Sequence, residues 1–152
     1  SAGDIGAFNF SLDYTIVDEF EIRTPTATGG LNITDCVGVY YCGTLIENRW
    51  ILTASWNKDA WNARVRVNFY DEFTECDGDF RGGDEVRRDI DSVAYVTAGV
   101  GYDLGQGTSF NLNVYNLTDE DPPRIYNGFY SAADVAYDFL GHYYSLGISH
   151  EF

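Results

Sequence analysis

Methionine is absent from this sequence of 152 residues, proline and cysteine occur three times each, and nine Lys and Arg residues stand against 24 Asp and Glu. The net charge of −15 argues against nucleic-acid binding, because no basic stripe is present to release phosphate counterions. It argues equally against docking on an anionic lipid surface. No segment approaches the roughly 18 to 20 consecutive apolar residues of a membrane helix. Any membrane-spanning part of this chain would therefore have to be built from strands.

Cysteine and histidine are few: the chain has Cys36, Cys42, Cys76, His142 and His150. Cys36 and Cys42 close a seven-residue loop, which favours a local disulfide in an oxidising compartment over two free thiols and leaves Cys76 over. No cysteine or carboxylate spacing completes a metal site or a catalytic triad with either histidine. We therefore expect no enzymatic activity, no metal and no cofactor.

Aromatic residues and glycine are abundant, with 12 Tyr, 10 Phe, 3 Trp and 16 Gly. Six segments place apolar residues at every second position, which is typical of strands with one apolar and one polar face. The first strand is predicted to cover residues 7–22. The predicted apolar positions are, strand by strand, Phe8, Phe10, Leu12, Tyr14 and Ile16; Trp50, Leu52, Ala54 and Trp56; Trp61, Ala63, Val65, Val67 and Phe69; Ala94, Val96, Ala98, Val100, Tyr102 and Leu104; Phe110, Leu112 and Val114; Tyr144, Leu146, Ile148 and Phe152.

The connections between these six strands alternate in length. Tight turns are predicted at residues 57–60 and 105–107, whereas residues 23–48, 71–91 and 116–142 are predicted to be long connections without strands. Antiparallel strands joined in this way put every short turn at one end of the sheet and every long connection at the other. Outer-membrane barrels have this asymmetry, so the pattern predicts an all-β fold of antiparallel transmembrane barrel strands.

The polar face of the third strand carries Arg64 and Arg66. Inside a soluble sandwich each arginine would have to be desolvated and paired, at a cost of several kcal/mol per ion. In a water-filled lumen the cost is small. The two arginines therefore favour a barrel wall over a soluble sandwich.

Two stretches near the C-terminus resemble those of a known family. They are Asn116–Pro123, which reads NLTDEDPP, and Tyr137–Ile148, which is followed by the terminal Phe152. Together they resemble the C-terminal end of TonB-dependent outer-membrane receptors, and residues 48–56 are similar to an earlier strand of that family. The chain departs from the family pattern at His142, where arginine is usual, and at His150, where an aromatic or apolar residue is usual.

The resemblance implies that residues 1–152 are the C-terminal segment of a barrel of about 22 strands, without its plug domain and earlier strands. It implies a bacterial outer-membrane location and the uptake of a ferric siderophore, cobalamin or a glycan, energised by TonB. The partners would be the rest of the barrel, the plug, the TonB complex through the N-terminal part, outer-membrane lipid and the small-molecule or glycan substrate. Residues expected to carry the assembly signal of the last strand are Tyr144, Leu146, Ile148 and Phe152.

The alternative is a self-contained small outer-membrane barrel with a structural or adhesive role. In that case residues 31–46 and 124–130 would supply two extra strands.

Strand direction indicates which residues would meet a solute. A periplasmic C-terminus would place Asn68, Tyr95 and Tyr115 in the outer half of the lumen, and Tyr126 and Tyr130 lie in the connection beyond. Tyrosine rings and asparagine amides suit recognition of a sugar or a chelate. Lumen residues that contact only the plug and water are the alternative.

Overall fold

A computed structural model describes residues 5–39, 45–77, 86–125 and 137–151. The described residues form ten strands, and none of them belongs to a helix long and apolar enough to cross a membrane. The strands are β1 (Ala7–Ile16), β2 (Glu21–Pro25), β3 (Leu31–Asp35), β4 (Asn48–Lys58), β5 (Trp61–Tyr70), β6 (Phe73–Asp77), β7 (Val86–Ile90), β8 (Val93–Gly105), β9 (Thr108–Tyr115) and β10 (Tyr143–His150). The prediction of an all-β, antiparallel fold is therefore confirmed.

Six strands form one antiparallel sheet in the order β1-β4-β5-β8-β9-β10, and they correspond to the six predicted strands. The two tight turns are also found where they were predicted. The turn from β4 to β5 has Asp59 at a φ of 50°, and the turn from β8 to β9 has Gln106 at 54° and Gly107 at 77°. Such positive φ values close a tight turn whose twist matches that of the flanking strands.

The strand register brings the predicted apolar residues to one face of this sheet. Leu12 opposes Leu52, which opposes Val67, and this row continues to Val96. At the turn end of the sheet the corresponding row is Trp61, Tyr102, Phe110 and Ile148. None of the described side chains of this face is buried, and their exposed fractions reach 72% for Phe10.

The prediction that β1 extends to residue 22 is wrong, because the strand ends at Ile16 and the chain enters a separate hairpin of β2 and β3. The two strands have five residues each, and β2 is exposed on both faces. Backbone hydrogen bonds between β2 and β3, rather than a buried face, hold this hairpin together. Its two strands therefore lack the apolar alternation of the larger strands. Because β3 pairs with β2, residues 31–35 do not add a strand to the six-stranded sheet.

The prediction of a strandless connection over residues 71–91 is also wrong. β6 and β7 form a second antiparallel hairpin there. An arginine of β7, Arg88, donates a hydrogen bond to the buried carboxylate of Glu75 on β6 at 2.7 Å and another to the carbonyl oxygen of Arg124. These bonds attach the hairpin to the third long connection.

A small hydrophobic core lies where the long connections leave the sheet. Its buried members come from the large sheet, the second hairpin and the connections, and they are Ile46, Phe73, Ile90, Val93, Tyr95, Ile125 and Tyr137. At the opposite ends of the strand order, β1 pairs with β4 and β10 pairs with β9, and within the described residues neither strand has a second partner. The six-stranded sheet is consequently open.

Candidate ligand-binding site on the polar face

The polar face of the large sheet carries amides, hydroxyls and arginines in cross-strand rows. One row consists of Asn9, Ser55, Arg64, Gly99, Asn113 and Ser145. The next row towards the long connections consists of Ser11, Thr53, Arg66 and Thr97. The cross-strand neighbours of Arg64 and Arg66 on β4 and β8 are therefore small and uncharged.

A cavity of about 530 Å³, which we call the outer cavity, lies on this face near the long connections. Three predicted contact residues, Asn68, Tyr95 and Tyr115, line it together. The other lining residues are Arg64, Arg66, Tyr70, Thr97, Asn116, Tyr137 and Asp138. Tyr126 and Tyr130, also predicted to contact a solute, lie outside the described residues. The structure therefore brings together all the predicted contact residues that it describes.

The two arginines of the outer cavity are solvent-exposed. The Nε of Arg66 donates a hydrogen bond to the Oδ1 of Asn68 at 3.1 Å, which orients the guanidinium along the strand. In the part of the chain that the structure describes, neither Arg64 nor Arg66 has a carboxylate within 4.0 Å. Both side chains can therefore donate hydrogen bonds into the cavity.

A cluster of three tyrosines forms the wall of the cavity nearest the core. The ring centroid of Tyr137 lies 5.3 Å from that of Tyr70 and 6.4 Å from that of Tyr95. Tyr95 is 5% exposed and Tyr137 is 7% exposed, and neither buried hydroxyl has a hydrogen-bond partner among the described residues. Burial raises the pKa of Tyr137 to about 12, so the phenol stays neutral. Tyr95 thus belongs to the wall of the cavity, and its direct contact with a solute stays a prediction.

The two ends of the third long connection are fixed beside the cavity. The buried amide of Asn116 donates to the carbonyl oxygen of Glu120 and accepts from its backbone N–H, both at 2.9 Å. Further along, the Oδ1 of Asp119 accepts a hydrogen bond from the backbone N–H of His142 at 3.1 Å and lies 3.1 Å from its Nδ1. These bonds to His142 lower the pKa of Asp119. Tyr115 stacks on Tyr143 with centroids 4.5 Å apart, which joins β9 to the start of β10.

A second cavity of about 480 Å³, which we call the inner cavity, lies closer to the tight turns, and Arg64 lines both cavities. Five asparagines from four strands line the inner cavity: Asn9, Asn57, Asn62, Asn111 and Asn113. Glycines on β8 make room for them, because a Cβ at Gly101 would lie 2.5 Å from the Nδ2 of Asn62. Sequence reasoning missed this cluster, since the asparagines meet only through the strand register.

The remaining predicted site residues have separate locations. Cys36 is fully buried, with its sulfur 3.6 Å from the carbonyl oxygen of Thr34, but Cys42 lies outside the described residues, so their disulfide stays a prediction. Tyr144, Leu146 and Ile148 lie on the exposed apolar face of β10, and Phe152 lies outside the described residues. Within the described ranges, no group of three or more His, Cys, Asp or Glu could hold a metal ion.

Most of the chemical groups that line the two cavities are guanidinium, amide and hydroxyl groups, which bind polar or anionic solutes by directed hydrogen bonds. The assignment of a function depends on this geometry. Comparisons of the chain with protein-family models, with curated proteins and with solved structures found no match.

Proposed function

We propose that residues 1–152 form the C-terminal part of the barrel of a TonB-dependent receptor in a bacterial outer membrane. The receptor takes up a scarce nutrient of the ferric siderophore, cobalamin or glycan class, and this part of it catalyses no reaction. The observation that carries the proposal is the six-stranded sheet, which has one exposed apolar face and one polar face that carries Arg49, Arg64 and Arg66.

The exposed apolar face fits lipid and does not fit water. Phe10, Leu146 and Ile148 are each exposed by 66% or more, and this apolar surface extends across all six strands. The largest apolar patch on a typical soluble monomer covers only a few hundred Å². Strands of 8 to 13 residues also suit a bilayer, which a tilted strand crosses in about 9 to 11 residues.

Aromatic pairs flank the apolar face near both ends of the strands. Trp50 stacks on Phe69 with centroids 4.9 Å apart at the end with the long connections, and Trp61 packs on Tyr102 at 4.5 Å at the turn end. The two pairs are separated by eight residues along a strand, which is about 20 Å of membrane depth at roughly 3.3 Å per residue and 40° tilt. Aromatic girdles of outer-membrane barrels have a similar separation.

The open edges of the sheet support a segment of a larger barrel over a small independent one. Within the described residues β1 and β10 each lack a second partner, and unpaired backbone groups in hydrocarbon cost several kcal/mol each. Six strands are also fewer than the roughly eight that enclose a filled interior. The remaining barrel strands and the plug would complete the wall and the lumen, and the N-terminal part of the receptor would engage TonB.

Cysteine labelling in isolated outer membranes tests this proposal. The intact polypeptide that contains residues 1–152 is expressed in a Gram-negative host with Val65→Cys or with Asn113→Cys. A membrane-impermeant maleimide is expected to label Asn113→Cys, which lines the inner cavity, and to leave Val65→Cys unlabelled, because lipid covers it. Both variants should react after denaturation. Equal labelling in the native membrane, or recovery of the protein in the aqueous fraction, would contradict the proposal.

A further inference from the structure

The arginines of the outer cavity form a small positive region in a strongly acidic chain. The chain has 24 acidic residues and a net charge of −15, yet the cross-strand neighbours of Arg64 are Ser55 and Gly99, and those of Arg66 are Thr53 and Thr97. None of these four neighbours carries a charge. An anion that reaches this part of the polar face meets positive charge that no carboxylate of the described residues neutralises within 4.0 Å.

The geometry of the pair leaves its donors available. Arg64 and Arg66 are two positions apart on β5, so their Cα atoms are separated by roughly 6.6 Å and their side chains leave the same face. The Nε of Arg66 is bonded to Asn68, whereas both terminal nitrogens of its guanidinium have no partner among the described residues. Of the lining residues that the structure describes, only Asp138 has a carboxylate, and its Oδ1 already accepts a hydrogen bond from the backbone N–H of Leu140 at 3.0 Å.

We propose that Arg64 and Arg66 form an oxyanion-binding pair, and that the outer cavity takes an anionic solute bearing carboxylate or phosphate groups. This inference rests on the proposed function, because it assigns a charge class to the solute of that receptor. Planar guanidinium groups bind both kinds of oxyanion through paired hydrogen bonds. A cavity of about 530 Å³ has room for a small polyanion. Because Arg64 also lines the inner cavity, an anion held by the pair lies at the junction of the two cavities.

Titration calorimetry on the intact polypeptide in detergent tests the pair with two anionic probes, citrate and inorganic phosphate. The neutral sugar maltose is the uncharged comparison. Arg64→Gln and Arg66→Gln are expected to weaken binding of the oxyanion a few-fold each, and the double variant at least tenfold. Arg49→Gln is the matched control, because Arg49 lies on the same face outside both cavities and should change the affinity less than twofold. Citrate should also protect Arg64 and Arg66, but not Arg49, from modification by phenylglyoxal.

Tighter binding of citrate or of phosphate would identify the source of the oxyanion, and either result supports the pair. Three results would overturn it: no binding of either anion to the wild type, equal affinity in the double variant, or arginines that phenylglyoxal cannot reach because another segment of the polypeptide covers them. The maleimide experiment on Val65→Cys reports the membrane location independently. A protein that passes that experiment and binds no anion retains the proposed function and loses only the oxyanion pair.

Discussion

Val65 and Asn68 lie three positions apart on β5 and therefore on opposite faces of the sheet. An arginine introduced at either position brings in the same charged side chain. If the sheet is the barrel wall that we propose, Val65→Arg should cost about 2 to 4 kcal/mol, because the residue lies midway along the strand on the apolar face and would face the driest part of the bilayer. Asn68→Arg should cost less, since in that barrel it would face a water-filled lumen. Refolding yields in lipid vesicles measure the difference, and equal yields would contradict the assigned faces.

The raised pKa of Tyr137 predicts how the free energy of unfolding changes at alkaline pH. Burial disfavours the phenolate, so the unfolded state loses its proton first, from about pH 10, while the folded state keeps it up to about pH 12. Stability therefore falls as the pH rises through this window. The wild type should lose about 2 to 3 kcal/mol more than Tyr137→Phe between pH 10 and 12.

Urea unfolding in detergent, followed by tryptophan fluorescence at a series of pH values, measures this loss. At neutral pH, Tyr137→Phe should be as stable as the wild type or slightly more stable, because the buried hydroxyl that it removes has no hydrogen-bond partner in the described ranges of the chain. A parallel pH dependence of the two proteins would rule out Tyr137 as the group responsible.

Cys36 and Cys42 are expected to be linked by a disulfide. The backbone N–H of Gly38 donates to the carbonyl oxygen of Leu45 at 2.7 Å, which brings the two sides of this loop together. Cα atoms separated by about 4.4 to 6.8 Å allow a disulfide. Peptide mapping without reductant should recover the linked pair with Cys76 alkylated. Because β6 also lies beside Gly38, recovery of a Cys36–Cys76 pair is the result that would contradict the expectation.

At the level of the strands, the turn between β8 and β9 is predicted to depend on Gly107 more than on Gly105. Both glycines have φ near 75°, so alanine at either position adopts a left-handed conformation that costs about 1 kcal/mol. A Cβ at Gly107 would also lie 2.6 Å from the carbonyl oxygen of Glu151, whereas a Cβ at Gly105 meets nothing within 4 Å. Gly107→Ala should therefore be less stable than Gly105→Ala by about 1 to 3 kcal/mol in urea unfolding, and equal stabilities would argue against this contact.

The six long strands could be predicted from the sequence because each one has an apolar face and a polar face. Alternation over eight or more residues fixes both the strand and its faces, and it placed Arg64, Asn68 and Tyr115 on the polar face. The two hairpins could not be predicted in this way. β2 has exposed residues on both faces, and the Glu75–Arg88 pair that holds β6 to β7 joins residues thirteen positions apart.

The candidate site was predictable only where it lies on the long strands. Asn68, Tyr95 and Tyr115 follow from strand direction and alternation. Tyr137 lies in a connection without periodicity, and its position depends on packing against Tyr70 and Tyr95 rather than on its sequence neighbours. The burial of Tyr95 follows from the same packing, so alternation alone could not predict it.

For the whole molecule, the open sheet predicts that β10 pairs with a strand outside residues 1–152. Ser145 opposes Asn113 on β9, so a Ser145→Cys and Asn113→Cys pair should cross-link readily in a background with the native cysteines changed to serine. The pair Ser145→Cys and Asn9→Cys should not cross-link, because Asn9 lies on the far edge, on β1. A cross-link between positions 9 and 145 in the intact monomer would favour a small closed barrel.

The long strands of the sheet also follow one another in the order of the chain, and each is antiparallel to the next. Every pair joined by a tight turn is therefore a self-contained unit, since its own register is set between its two strands and at its turn. Duplication or loss of one such unit would change the circumference of a barrel by two strands and leave the pairing within the other units intact. The gene of a protein built in this way can gain or lose wall segments by in-frame duplication or deletion, without redesign of the strands that remain.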